Sequence, residues 1–63
     1  METNSRKLLR KLHEAGWEVV RIKGDHHTLK HADNPELITV THPKKDLPPG
    51  LVRRIYKIAG WMT

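Results

Sequence analysis

Apolar residues recur along this chain first at helical spacing and then at alternating spacing, and the change of period divides it into five elements. Leu8, Leu9, Leu12 and Ala15 lie three and four residues apart, which stacks them on one face of a helix. Asn4 or Ser5 can cap that helix, and Gly16 supplies its stop. Arg6, Lys7, Arg10, Lys11 and His13 fall on the other face, where charge is ordinarily solvated. From Trp17 onward the pattern changes to the β-rich runs WEVVRIK, HHTLKH and LITVT, separated by Gly24-Asp25 and by Asp33-Asn34-Pro35-Glu36. These predict a three-stranded antiparallel meander. Pro48 and Pro49 stand where a second helix can begin, Leu51, Val52, Ile55, Ile58 and Ala59 form its apolar stripe, and Gly60 ends it. The expected order is αβββα, an α+β two-layer sandwich with two helices on one face of the sheet, forming one domain over residues 1–63. The other sheet face is left open.

Strand pairing follows from the turns. A two-residue turn at Gly24-Asp25, glycine first as type II′ prefers, sets Lys23 opposite His26, Ile22 opposite His27 and Val20 opposite Leu29. A four-residue loop from Asp33 to Glu36 sets Leu29 opposite Val40, Thr28 opposite Thr41 and His27 opposite His42. Alternation then directs Val20, Ile22, Leu29, Ile38 and Val40 toward the helices, together with His27, His31 and His42. The open face receives Arg21, Lys23, His26, Thr28, Lys30, Thr39 and Thr41, with Val19 its one clearly apolar member.

Size narrows what such a body can do. A chain of 63 residues buries only roughly 60% of the surface its unfolded form exposes, which leaves no room for a deep substrate pocket. The absence of cysteine fits a reducing compartment. No run of about 18 apolar residues exists, and METNSRKLLRKL lacks the apolar stretch of a secretory signal, so a cytoplasmic protein with no membrane partner is expected.

Charge supplies the first functional hint. Twelve Lys and Arg against seven Asp and Glu give a formal charge of +5, a field that attracts polyanions. Position decides what that means. Lysine and arginine can neutralise a phosphate backbone while threonines hydrogen bond to it, and a shallow face suits a rod-like or single-stranded polymer. Arg21, Lys23, Thr28 and Lys30 are therefore candidate RNA contacts. Lys44 and Lys45 join them from the loop His42-Pro43-Lys44-Lys45-Asp46, which enters the second helix, whose N-terminal amides offer a further anion site. Arg53, Arg54 and Lys57 lie off the apolar stripe of that helix and are equally compatible with simple solvation.

Five histidines raise the question of zinc. His26 and His27 point to opposite faces, and His27 and His31 would stand about 13 Å apart at ~3.3 Å per residue, too far to share an ion held at roughly 2 Å. No metal or other cofactor is expected. His27, His31 and His42 read as inward or edge imidazoles satisfied by hydrogen bonds, His27 bracing the hairpin. His26 differs, because it follows a tight turn on the open face with Lys23 opposite. An imidazole can exchange a proton near neutral pH, and RNA carries its own nucleophile in the 2′-hydroxyl. The residues alone leave open three roles for this face: cleaving RNA, binding RNA without chemistry, or meeting an acidic partner.

The stretches Gly16-Trp17, Val20-Arg21-Ile22-Lys23-Gly24-Asp25-His26-His27, Lys30-His31, His42-Pro43-Lys44-Lys45-Asp46-Leu47-Pro48 and Ala59-Gly60 resemble the HicA (YcfA-like) mRNA interferase toxins of toxin–antitoxin modules. The likeness runs from about Ser5 to Gly60. It implies a fold like the double-stranded-RNA-binding domain, metal-independent cleavage of mRNA that blocks translation, and neutralisation by a HicB-type antitoxin. The family's catalytic histidine falls on His26, and its turn glycine on Gly24. Two departures stand out. Asp25 replaces the serine often found there, placing a carboxylate where it repels an approaching phosphate. Thr41 stands where the family often has proline, which should lengthen the third strand slightly.

Overall fold

In a computed structural model, which describes residues 1–62, five elements follow in the expected order. They are α1 (Ser5–Glu14), β1 (Glu18–Lys23), β2 (His26–His31), β3 (Asn34–Thr41) and α2 (Pro49–Ile58). The sheet is antiparallel with strand order β1-β2-β3. Asn4 is the cap of α1: its side chain accepts from the Lys7 amide at 3.1 Å. Ser5 is instead the first helical residue and is buried.

The core is formed by Leu8 and Leu12 of α1, Leu29 of β2, Ile38 and Val40 of β3, and Val52 and Ile55 of α2, closed by Trp17 and Leu47. Each of these was on an apolar stripe or beside one, so helical and strand periodicities converge on one interior. Leu9, Leu51, Ile58 and Ala59 are partly buried against it, whereas Ala15 is exposed at the C-cap of α1. Gly16 follows with φ +97°, and a Cβ there would come within 2.8 Å of the His31 ring. Only glycine lets the chain turn this closely under that imidazole.

The strand register departs from expectation at two places. Gly24 takes φ +60° while Asp25 keeps a negative φ, consistent with the type II′ turn, and Lys23 pairs with His26 and Ile22 with His27 as expected. Beyond Arg21, however, a bulge intervenes, so Leu29 pairs with Val19 and not Val20. The bulge exchanges the two valines. Val19 lies in line with Leu29, and Val20 joins Glu18 and Lys30 around a shallow depression. In the second hairpin the connection is the short turn Ala32-Asp33, and β3 begins at Asn34, inside the stretch expected to be loop. Leu29 therefore faces Ile38, Thr28 faces Thr39 and His27 faces Val40, two residues from the expected partners. A shift of two preserves the face of every side chain. Pro35 is tolerated because β3 is an edge strand. Asn34 anchors the strand start, donating to the Ile58 carbonyl at 2.8 Å and accepting from the Glu36 amide at 2.9 Å.

Val20 and Ile22 were expected under the helices, yet they are 56% and 61% exposed. The helices pack chiefly over β3, leaving β1 as an uncovered edge. Lys11, expected to be solvated, lies with its ammonium 4.7 Å from the Trp61 ring centroid, and Trp61 in turn packs edge-on against Tyr56. That cluster fastens the end of the chain to α1.

Candidate nucleic-acid interface

The candidate site is built on the β1–β2 hairpin. Its turn, Gly24-Asp25, delivers His26 at the first position of β2, between Lys23 on one side and Thr41 on the other. Two residues along, Thr28 stands between Arg21 and Thr39. All of these project to the face away from the helices, because the core-facing members of the same strands are Leu29, Ile38 and Val40. The open face thus holds the expected set of Arg21, Lys23, His26, Thr28, Lys30, Thr39 and Thr41, and Lys30 is paired there with Glu18. The register errors did not scramble this face, since each left the parity of β2 and β3 intact.

His26 is well exposed, its side chain 62% accessible, and its Nε2 lies 3.6 Å from the Asp25 carboxylate. That separation is too long for a hydrogen bond, so the pair is a loose ionic contact at most. An imidazole so placed is accessible to a ligand lying on the sheet.

Three of the other histidines are occupied structurally, and His13 is exposed on α1. His31 Nδ1 accepts from the Asp33 amide at 3.0 Å, which assigns the proton to Nε2, and Nε2 donates to the Ala15 carbonyl at 3.0 Å. This ring ties the second hairpin to the end of α1. His42 Nδ1 is 2.8 Å from Ser5 Oγ. Ser5 Oγ also accepts from the Lys44 amide at 2.8 Å, so one hydroxyl serves both the ring and the loop. His27 meets His42 edge-on, with ring centroids 5.1 Å apart, a contact of side chains that are not paired partners in the sheet. The amide of His42 donates to the Asp25 carbonyl at 2.8 Å, which extends the ladder one bond past β3 and braces the turn that presents His26.

Lys44 and Lys45 lie, as expected, in the loop between β3 and α2, and that loop also meets the start of α1. Ser5 draws their loop against the start of α1, its amide donating to the Lys44 carbonyl at 2.9 Å, so that the two lysines share a cavity with Arg6 and Lys7. Nothing in the periodicity marked Ser5 for this; its one sequence signal, a hydroxyl at a helix start, pointed to capping. Ser5→Ala should lower stability by about 1–3 kcal/mol, because the Lys44 amide and His42 Nδ1 lose a shared partner in a buried position. Urea denaturation would measure it, and a change below ~0.5 kcal/mol would show that the backbone bond alone holds the loop.

The chain is thus a small basic α+β domain with an open, hydroxylated sheet face and an exposed imidazole on a glycine-turned hairpin. The comparisons make the assignment specific. Residues 5–61 match the model of the HicA toxin of bacterial toxin–antitoxin systems, and the chain belongs to that family. A solved structure described as the HicA3 and HicB3 toxin–antitoxin complex contains a chain 37% identical to this one, with a TM-score of 0.76 over 89% of this chain and 91% of that chain. No curated protein sequence matches. None of the described helices is long and apolar enough to cross a membrane.

Proposed function

We propose that this HicA-family chain is a metal-independent endoribonuclease that cleaves mRNA in the cytoplasm and blocks translation, with His26 as its general acid or base. The observation carrying this reading is the exposed imidazole of His26, set between Lys23 and Thr41 on a basic face. RNA laid on that face presents its 2′-hydroxyl to the ring. His26 takes the hydroxyl proton, the 2′ oxygen attacks the adjacent phosphorus, and the bond to the 5′ oxygen breaks as that oxygen takes up a proton. Arg21, Lys23, Thr28 and Lys30 hold the backbone and stabilise the charge gathering on the phosphorane. The strand ends left behind are a 2′,3′-cyclic phosphate and a 5′-hydroxyl. A HicB-type antitoxin is the proposed partner, and an acidic one would be steered onto the same face.

Asp25 favours a second reading. Its carboxylate stands beside the imidazole, where it opposes an incoming phosphate, and a chain so altered could bind RNA without cutting it. Incubating the purified chain with end-labelled mRNA in excess EDTA separates the two. New ends bearing cyclic phosphate are expected; intact RNA that remains bound would favour the binding module.

A further inference from the structure

A second cluster of cations lies away from the open face. Arg6 and Lys7 on the first turn of α1 and Lys44 and Lys45 on the loop after β3 line one cavity, whose floor includes Ser5 and His42. All four basic side chains are exposed. The cavity wall contains no carboxylate, and among the described residues no acid lies within ion-pair distance of any of the four. Glu2, the acid nearest the start of α1 in sequence, is engaged with the Asn4 amide at 3.0 Å, and Asp46, which follows Lys45, is outside the cavity lining.

This crowding is built, not incidental. Two bonds join the loop to Ser5, one from the Ser5 amide to the Lys44 carbonyl and one from the Lys44 amide to Ser5 Oγ, and His42 adds a third contact to the same hydroxyl. The clasp fixes two lysines from a loop next to two cations from a helix, against their mutual repulsion. A doubly bonded anion between them would remove that repulsion. The amides of α1 are not the basis of the site, since Asn4 already occupies the Lys7 amide.

We propose that Arg6, Lys7, Lys44 and Lys45 form a phosphate-binding subsite for the RNA backbone, distinct from the face that presents His26. The proposal rests on the RNA reading above and extends it by giving the strand a direction. Thr41 pairs with His26, and His42 is bonded to Asp25. Lys44 follows Thr41 by only three residues, at most about 10 Å of chain. An RNA strand leaving His26 across the end of β3 therefore arrives at the cluster within a few nucleotides. Cleavage would then occur between the phosphates held on the open face and those held at the start of α1.

The test uses His26→Ala as the parent, so that binding is measured without cutting, and a fluorescent single-stranded RNA about 12 nucleotides long, within the usual span of single-strand binders. Affinity is recorded against salt concentration for the parent, for Arg6→Gln with Lys7→Gln, for Lys44→Gln with Lys45→Gln, and for Arg53→Gln with Lys57→Gln on α2 as a control of equal charge. Circular dichroism confirms that each is folded. Both cluster variants should lose affinity, with the slope of log K against log salt falling by about 0.7 for every phosphate contact removed, while the α2 control keeps the parent's slope. Equal loss in all three variants would mean diffuse charge and overturn the subsite. Unchanged slopes in the cluster variants would overturn it as well. Failure of both the unmodified chain and the His26→Ala parent to bind RNA would remove the RNA reading itself, an outcome separate from the other two.

Discussion

His26→Ala is expected to reduce RNA cleavage by about 10²–10⁴-fold, the usual contribution of one positioned acid–base group, while leaving the fold and RNA affinity nearly unchanged. The three parts of that expectation have separate causes. The rate falls because the other imidazoles lie elsewhere: His31 is engaged with Ala15 and Asp33, His42 with Ser5, His27 packs edge-on against His42, and His13 stands on α1. The fold survives because the side chain is largely exposed and its one close polar neighbour is Asp25 at 3.6 Å. Affinity survives because the phosphate contacts proposed above belong to arginines and lysines, which the substitution does not touch. Gel-resolved cleavage under single-turnover conditions, beside a binding titration, measures both. A variant that cuts at the parent's rate would end the assignment of His26, and one that no longer binds would reassign it from chemistry to recognition.

Leu12→Ala should unfold most of the protein. Leu12 is fully buried on α1 within the one core cluster. Truncating such a leucine costs about 2–5 kcal/mol, the sum of lost transfer energy and the cavity left behind. A single core in a domain this short rarely supplies more than about 3–5 kcal/mol, and with no cysteine there is no disulfide to make up the difference. The two magnitudes are equal within their spread, so the folded fraction at 25 °C should fall from nearly all to a minority. Far-ultraviolet circular dichroism and a urea titration would show a lost or strongly shifted transition. A midpoint close to the parent's would mean that the helices carry less of the stability than their burial indicates, or that the neighbours Leu8 and Val52 collapse into the space.

The two hairpins illustrate where local signals suffice. Gly24-Asp25 is a short turn with its own chemistry, and the register beside it followed directly from that. The second turn has no such punctuation. Asp33, Asn34, Pro35 and Glu36 all favour loops individually, yet the Asn34 side chain bonds to the end of α2, some 24 residues on, and so draws those residues into β3. A tertiary hydrogen bond outweighed local preference. The bulge at Val20 is of the same kind, because alternation in Glu18-Val19-Val20-Arg21 cannot say which valine is skipped until both neighbours are docked.

By itself, the amino-acid sequence determined the order of the elements, the apolar stripes that make the core, the open-face set around His26, and the motifs of the HicA family. Those depend on period and on turn chemistry, which act over a few residues. Only the tertiary structure decided that β1 lies uncovered, that Ser5 is a buried clasp and not a cap, and that Lys44 and Lys45 stand beside Arg6 and Lys7. Each of these depends on how helices come to rest on a sheet and on bonds spanning 37 to 39 residues, between Ser5 and the His42 and Lys44 of a distant loop. Packing sets such placements jointly for the whole chain, and no local pattern carries them.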